Sequence, residues 1–308
     1  MRRHSLPEQC FPSTGATLRS DSAPSAALPL SRRPDSRLVD LSVTLSERLP
    51  CSWPGHVPFA HKSWSWFADV DLPIAQDCCS LGPYNTSFLL IDEHCGTHLD
   101  GPTHFIPPPG SGLPWSGPLG DVTAEQLDLA RLIGPAAVVD VRFLAGKSQP
   151  GVSPRITTEH LRAAERRDGR FQSSDIVLLL TGWSQRYLAG APGKAYVFDP
   201  LVRATSPGWP ALEPEGAALL AERGVSTVGI DAPSMGAVDD GAPVHREGLS
   251  RGLLFIEMLA SLQALPARGA LFLFLPLKIA GGSGAPGRAV ALVGGGDGHG
   301  EGGDTARL

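Results

Sequence analysis

The chain has 308 residues, 42% of them apolar, with a net charge of −5 and five cysteines. That length supports one large core or two small ones, and a mildly acidic chain without a basic, aromatic-studded stripe argues against nucleic acid as a partner. Its longest apolar runs, such as residues 270–275, are strand-sized against the ~20 residues a membrane helix needs. The cysteines (Cys10, Cys51, Cys78, Cys79, Cys95) build neither a disulfide framework nor a CxxC zinc site.

In chain order, residues 1–36 read as a disordered tail of Arg, Ser and Pro, and no apolar core of about 7–15 residues follows its arginines, as a signal peptide would require. A transit-like segment is the alternative, and a reduced, cytoplasmic location is the expectation. Order is expected to start with a strand over residues 37–45, where apolar and polar residues alternate. Residues 50–83, rich in Pro, Trp and Gly, read as a long loop, and residues 54–83 within it, carrying Trp64 and Trp66, as the specificity segment. A second strand, 86–91, is expected to run straight into the motif described below. Short apolar runs at 136–141 and 175–181 predict buried strands. Thr157 opens a predicted helix through residue 166, which leaves His160 solvent-exposed in its first turn. A helix over 213–223 is closed by Gly224, followed by a strand over 226–231. A long loop then ends at His245, an apolar helix spans 252–264 with Glu257 inside it, and strands at 270–279 and 288–293 finish the domain. Residues 294–308 are a glycine-rich tail without core-forming side chains. Strands and helices mix without strict alternation, so a single α/β domain over 37–293 is expected.

The segment His94-Cys-Gly-Thr-His98-Leu-Asp100-Gly-Pro-Thr-His104 packs three of nine histidines into eleven residues. Glycine and proline oppose a helix here. In an extended chain, side chains repeat with period two, so residues 94, 98, 100 and 104 share a face and His98 and Asp100 sit roughly 6.6 Å apart at Cα. His94 and His98 would be ~13 Å apart on a straight strand, too far to share an ion through bonds of about 2.0–2.1 Å. A bend is required, and Gly96 lies midway. Imidazole with carboxylate suits Zn²⁺ or Mn²⁺. Cys95, alternating to the other face, reads as a packing residue rather than a nucleophile. His245 and Glu257 are further ligand candidates. Glu257, amid Leu253-Leu-Phe-Ile, is either paired or metal-bound, or simply the solvent side of an amphipathic helix.

These residues resemble the HxGTHxDxPxH signature of the cyclase family, whose members include bacterial-type kynurenine formamidases and isatin hydrolases. The resemblance extends through Val39-Asp-Leu-Ser-Val-Thr-Leu, Trp53-Pro-Gly, Ile91-Asp-Glu-His94, Thr181-Gly-Trp183, Ser206-Pro-Gly208, Val228-Gly-Ile-Asp-Ala-Pro-Ser234, His245, Glu257 and Leu277-Lys-Ile-Ala-Gly-Gly-Ser-Gly-Ala-Pro286. It implies mixed sheets around a barrel-like core with flanking helices. It implies His94, His98, Asp100, His245 and Glu257 as ligands of one or two zinc ions, or of manganese, and His104 as the proton-transfer group. The implied activity is hydrolysis of an aryl formamide or cyclic amide, an arylformamidase type of reaction in the kynurenine pathway. A small-molecule substrate and a homodimer or larger assembly follow from the same resemblance. Trp53 reads as an aromatic wall of the substrate pocket or as core packing, and Asp231 as a partner of a ligand histidine or a structural residue. A metal-dependent lyase or dehydratase acting on a hydroxy acid, and a non-catalytic binding protein on the same fold, are the competing functions.

Overall fold

A computed structural model describes residues 36–65 and 84–294. Apart from Ser36 and Gly294, the two expected tails lie outside these residues, as do Trp66, Cys10, Cys78 and Cys79. The strands are β1 (Arg37–Asp40), β2 (Ala60–Ser65), β3 (Thr86–Leu90), β4 (His98–Asp100), β5 (Ile133–Asp140), β6 (Arg155–Ile156), β7 (Ile176–Leu180), β8 (Ala211–Leu212), β9 (Thr227–Ile230), β10 (Leu254–Glu257), β11 (Ala270–Pro276) and β12 (Gly284–Val293). The α-helices are α1 (Thr158–Asp168), α2 (Pro214–Glu222) and α3 (Ala242–Ser250).

Eight strands form one sheet in the order β1-β12-β11-β5-β7-β9-β10-β4. Because β4 also pairs with the start of β12, seven of them close into a barrel, and β1 attaches outside the ring along β12. β5, β7, β9 and β10 run parallel, and the remaining pairings in the ring are antiparallel. The parallel strands are apolar almost throughout because both of their faces are covered. Leu178, Ile256, Phe272 and Phe274 fill the barrel with Leu99 of β4, while their strand neighbours Val177, Leu179 and Phe255 pack outward with Leu161 of α1 and Leu220 of α2. The expected α/β barrel-like domain with flanking helices is therefore present. β2 and β3 pair as a separate antiparallel arm.

Several boundaries differ from the sequence reading. The expected helix over 252–264 is strand β10, four residues buried on both sides. A short apolar run has no period to separate helix from strand, and positive φ angles at Met258 and Ser261 stop it from continuing. His245 does not end a loop but lies within α3. The presumed loop 50–83 contains strand β2. β3 does not run straight into the motif, since residues 91–97 form turns and bends. His160 is not a free surface residue: it is the third residue of the α1 capping box, and its Nδ1 accepts a hydrogen bond from the Thr157 N–H at 3.0 Å.

Candidate metal centre

The centre is built on the outer face of the barrel where β4 meets β10. With Leu99 turned into the barrel, period-two alternation turns His98 and Asp100 outward together. The antiparallel register sets Glu257 directly across from His98, so the carboxylate and imidazole share that face by pairing alone. A backbone turn supplies the fourth group. Gly96 has φ +64°, the left-handed region glycine enters without cost, and the turn folds His94 back until its Nδ1 is 2.8 Å from Asp100 Oδ1. The expected bend is where the spacing required it, although the strand itself spans only residues 98–100.

The 3₁₀ turn Pro102–His104 follows at once, with proline at its first position. It stacks the His104 ring on His94, with centroids 3.9 Å apart. His245 descends from α3, its Nε2 3.2 Å from Glu257 Oε1 and 3.5 Å from Asp100 Oδ2. The His98 Nδ1–H donates to the Gly96 carbonyl and the His245 Nδ1–H to the Gly241 carbonyl, each at 2.7 Å. Both rings therefore turn Nε2 to the carboxylates, the arrangement seen for metal-ligating histidine. All six predicted residues are thus brought together. Two donor sets, His94–Asp100–His104 and His98–Asp100–Glu257, each lie within 4.8 Å, and Asp100 belongs to both.

Asp100 is 1% exposed and Glu257 4%. Among the described residues no Lys or Arg lines the cavity above them, although buried carboxylates demand compensation. Protons alone supply it only by strong displacement of the histidines. Burial opposes charge on both rings, yet the Asp100 and Glu257 carboxylates beside each Nε2 lift His98 to about 9 and His245 to about 10. Burial would raise the Asp100 carboxyl, but the surrounding imidazoles hold it well below the usual carboxylate range. His104, farther from the carboxylates, is pushed down to about 3, chiefly by burial. Asp100 Oδ2 is buried without a hydrogen-bond partner. An orphaned carboxylate oxygen ringed by imidazole lone pairs fits a divalent cation.

A cavity of about 290 Å³ opens onto this face, with Trp53, Phe105, Leu201, Val238 and Met258 among its walls. Trp53 lines the cavity and meets the buried Trp209 edge-on at 6.1 Å. Phe105, which sequence reasoning passed over, stacks on His245 at 4.4 Å; its position right after the last motif histidine was the available signal. Ser234 Oγ–H donates to Glu257 at 3.2 Å and the Met235 N–H donates to the same oxygen. Asp231 does not reach a ligand: it accepts from Thr181, Gly182 and Ser184 and ties β9 to the turn after β7. Cys95 is fully buried against Cys51 and Ser52, away from the cavity. Its hydrogen bond with Cys51 and its burial raise its thiol pKa, as suits a packing residue.

Such a cluster of donor groups beside an apolar cavity suits a hydrolase that draws on a metal ion. A family model described as "Putative cyclase" matches residues 39–237, and the chain belongs to this Cyclase family. Isatin hydrolase of Roseibium aggregatum is 30% identical over 218 residues, 69% of this chain and 76% of the relative. Kynurenine formamidase of Salinibacter ruber is 31% identical over 254 residues, 82% of this chain and 96% of the relative. Among solved structures, isatin hydrolase A of Labrenzia aggregata bound to benzyl benzoate superposes with a TM-score of 0.65 at 27% identity, covering 84% of this chain and 94% of that one. No helix among the described residues is long and apolar enough to cross a membrane.

Proposed function

We propose that this chain hydrolyses a small aryl formamide or cyclic amide, the substrates that its relatives' names describe, at a centre held by His94, His98, Asp100, His245 and Glu257. The observation that carries the proposal is Asp100, a buried carboxylate shared by two donor sets with one oxygen left unpaired. The sharing favours two zinc ions, which these five residues would hold between them; a single Zn²⁺ or Mn²⁺ is the alternative. When bound, a divalent ion supplies Lewis acidity, which acidifies water and polarises a carbonyl.

The protein's own groups do the rest. His104, stacked on His94 and lining the cavity, takes the proton of the attacking water and hands it to the leaving nitrogen. The products are a carboxylate and an amine. Trp53 and Phe105 hold the aryl ring of the substrate against the apolar walls and keep bulk water from the reacting carbonyl. His98 and His245, each anchored to a backbone carbonyl, keep their Nε2 atoms aimed at the carboxylates as substrate comes and goes.

A homo-oligomer is the expected assembly, supported by the β2–β3 arm, which exposes Trp64, Phe88, Leu89 and Leu90 together. Cytoplasmic residence fits the two free buried cysteines among the described residues. Metal analysis of the purified protein beside assays with N-formylkynurenine and isatin tests the reading. A metal-free protein that stays inert after Zn²⁺ or Mn²⁺ is added refutes it.

A further inference from the structure

The glycine-rich segment Gly281-Gly-Ser283 leads into β12. Its Ser283 lies against the metal centre through two hydrogen bonds: Oγ is 2.7 Å from Glu93 Oε1 and 2.9 Å from His94 Nε2. The Ser283 backbone N–H donates to the other Glu93 oxygen at 3.0 Å. A carboxylate has lone pairs only. The single Ser283 hydroxyl proton must therefore go to Glu93, which leaves the hydroxyl oxygen to accept from His94. His94 Nε2 is then protonated, so in the neutral ring the Nδ1 lone pair is what faces Asp100 Oδ1 at 2.8 Å. In that neutral form the two are both acceptors, and together they can ligate one cation. His98 and His245 present Nε2 to the centre, so His94 is the odd one among the ligand histidines, and Ser283 with Glu93 imposes the difference.

We propose that Glu93 and Ser283 are positioning residues that fix the tautomer of His94 and so select Nδ1 as its metal-ligating atom. This rests on the metal-centre reading above. The backbone is shaped for the task. A Cβ at Gly284 would lie 2.5 Å from His94 Cε1 and 2.4 Å from the Leu99 carbonyl oxygen, and one at Gly282 would lie 3.0 Å from Glu93 Oε2. Only glycines on either side let Ser283 pass flush between the acid and the imidazole. Glu93 and His94 are neighbours in sequence and Ser283 is 189 residues away, so the link also ties the motif to the far end of the barrel.

The test is metal affinity by chelator competition with Zn²⁺, together with ¹¹³Cd–¹⁵N scalar couplings in protein loaded with ¹¹³Cd²⁺ and labelled at histidine nitrogens. In the wild type the coupling is expected at His94 Nδ1, with Nε2 still protonated. Ser283→Ala should weaken Zn²⁺ binding by about 10–100-fold, the usual effect of removing an outer-shell partner, and blur the Nδ1 coupling. Ser283→Thr, which keeps the hydroxyl, should restore both. Glu93→Gln leaves the glycine backbone untouched, but its amide opposes a donor to one of the two Ser283 donors, so it carries the same expectation as Ser283→Ala. A wild type ligating through His94 Nε2 overturns the inference, as do Ser283→Ala and Glu93→Gln variants binding Zn²⁺ within twofold of wild type; the metal-centre reading survives either result. A wild type that binds no divalent ion overturns both.

Discussion

Replacing Gly96 by alanine should damage stability and the metal centre together, and the two contributions can be separated. The new Cβ would lie 2.2 Å from Leu45 Cδ2, with Leu45 Cγ at 3.5 Å and Val43 Cγ2 at 3.7 Å. The residue must also hold φ +64°, which costs an L-amino acid roughly 1–2 kcal/mol. Relieving the overlap means shifting Leu45, half-buried against Cys51, Phe59 and Cys95, and such overpacking costs typically about 1–3 kcal/mol. The sum is roughly 2–5 kcal/mol, which at about 2 °C per kcal/mol for a chain of this size lowers Tm by roughly 4–10 °C. In a Leu45→Ala background the overlap disappears and only the backbone contribution remains, so the same glycine replacement should cost about 1–2 kcal/mol. Denaturant melts of the four proteins, with Zn²⁺ affinity measured alongside, give the cycle. Affinity should fall in both alanine-96 proteins, because the turn sets His94 against Asp100. A Gly96→Ala protein within about 0.5 kcal/mol of wild type, or an equal penalty in both backgrounds, would show that neither the turn nor Leu45 constrains this position.

Chelation should lower the thermal midpoint: an ion at a thousandfold excess over its Kd contributes about 4 kcal/mol, and calorimetry with and without chelator should show the midpoint return when Zn²⁺ is restored. His104→Asn should leave Zn²⁺ affinity within a few-fold of wild type while kcat falls by about 10²–10⁴; a parallel loss of affinity would make His104 a ligand instead. Hydrolysis in ¹⁸O-labelled water should place solvent oxygen in the new carboxylate, and its absence there, read by mass spectrometry, would favour the lyase or dehydratase reading. Hydrogen bonds from Arg223, at 2.8 and 3.1 Å, hold the Glu165 carboxyl below its ordinary pKa. The folded state thus favours the ionised form, so this stabilisation is complete above the unfolded carboxyl pKa of about 4.3 and is lost as pH falls through the folded value. Wild type should exceed Glu165→Gln by roughly 0.5–1 kcal/mol at pH 7, and urea melts should find the two converging in acid.

Much of the centre was legible because its signal is local. Four of six groups fall within eleven residues, and the spacing alone demanded a bend at Gly96, where the positive φ is found. Glu257 was harder. Four apolar residues before a carboxylate suit a buried helix and a buried strand equally, and only the pairing of β10 with β4 sets Glu257 opposite His98. His245 was misplaced for a related reason: the residues before it are Gly, Ala and Pro, which suggest a loop, yet proline is compatible with the first turn of α3. Glu93 and Ser283 left no usable signal in spacing, since their meeting depends on barrel closure.

Strand β4 is three residues long, yet it hydrogen-bonds to β10 on one side and β12 on the other, so it is the last stave of the barrel. Two of those three residues, His98 and Asp100, belong to the centre, and the strand residues they pair with in β10 and β12 lie more than 150 positions downstream. Such distant pairings carry the largest loop-closure entropy and form late. Sealing the wall is therefore also what carries Glu257 to His98, so the His98–Asp100–Glu257 donor set is complete only in the closed barrel.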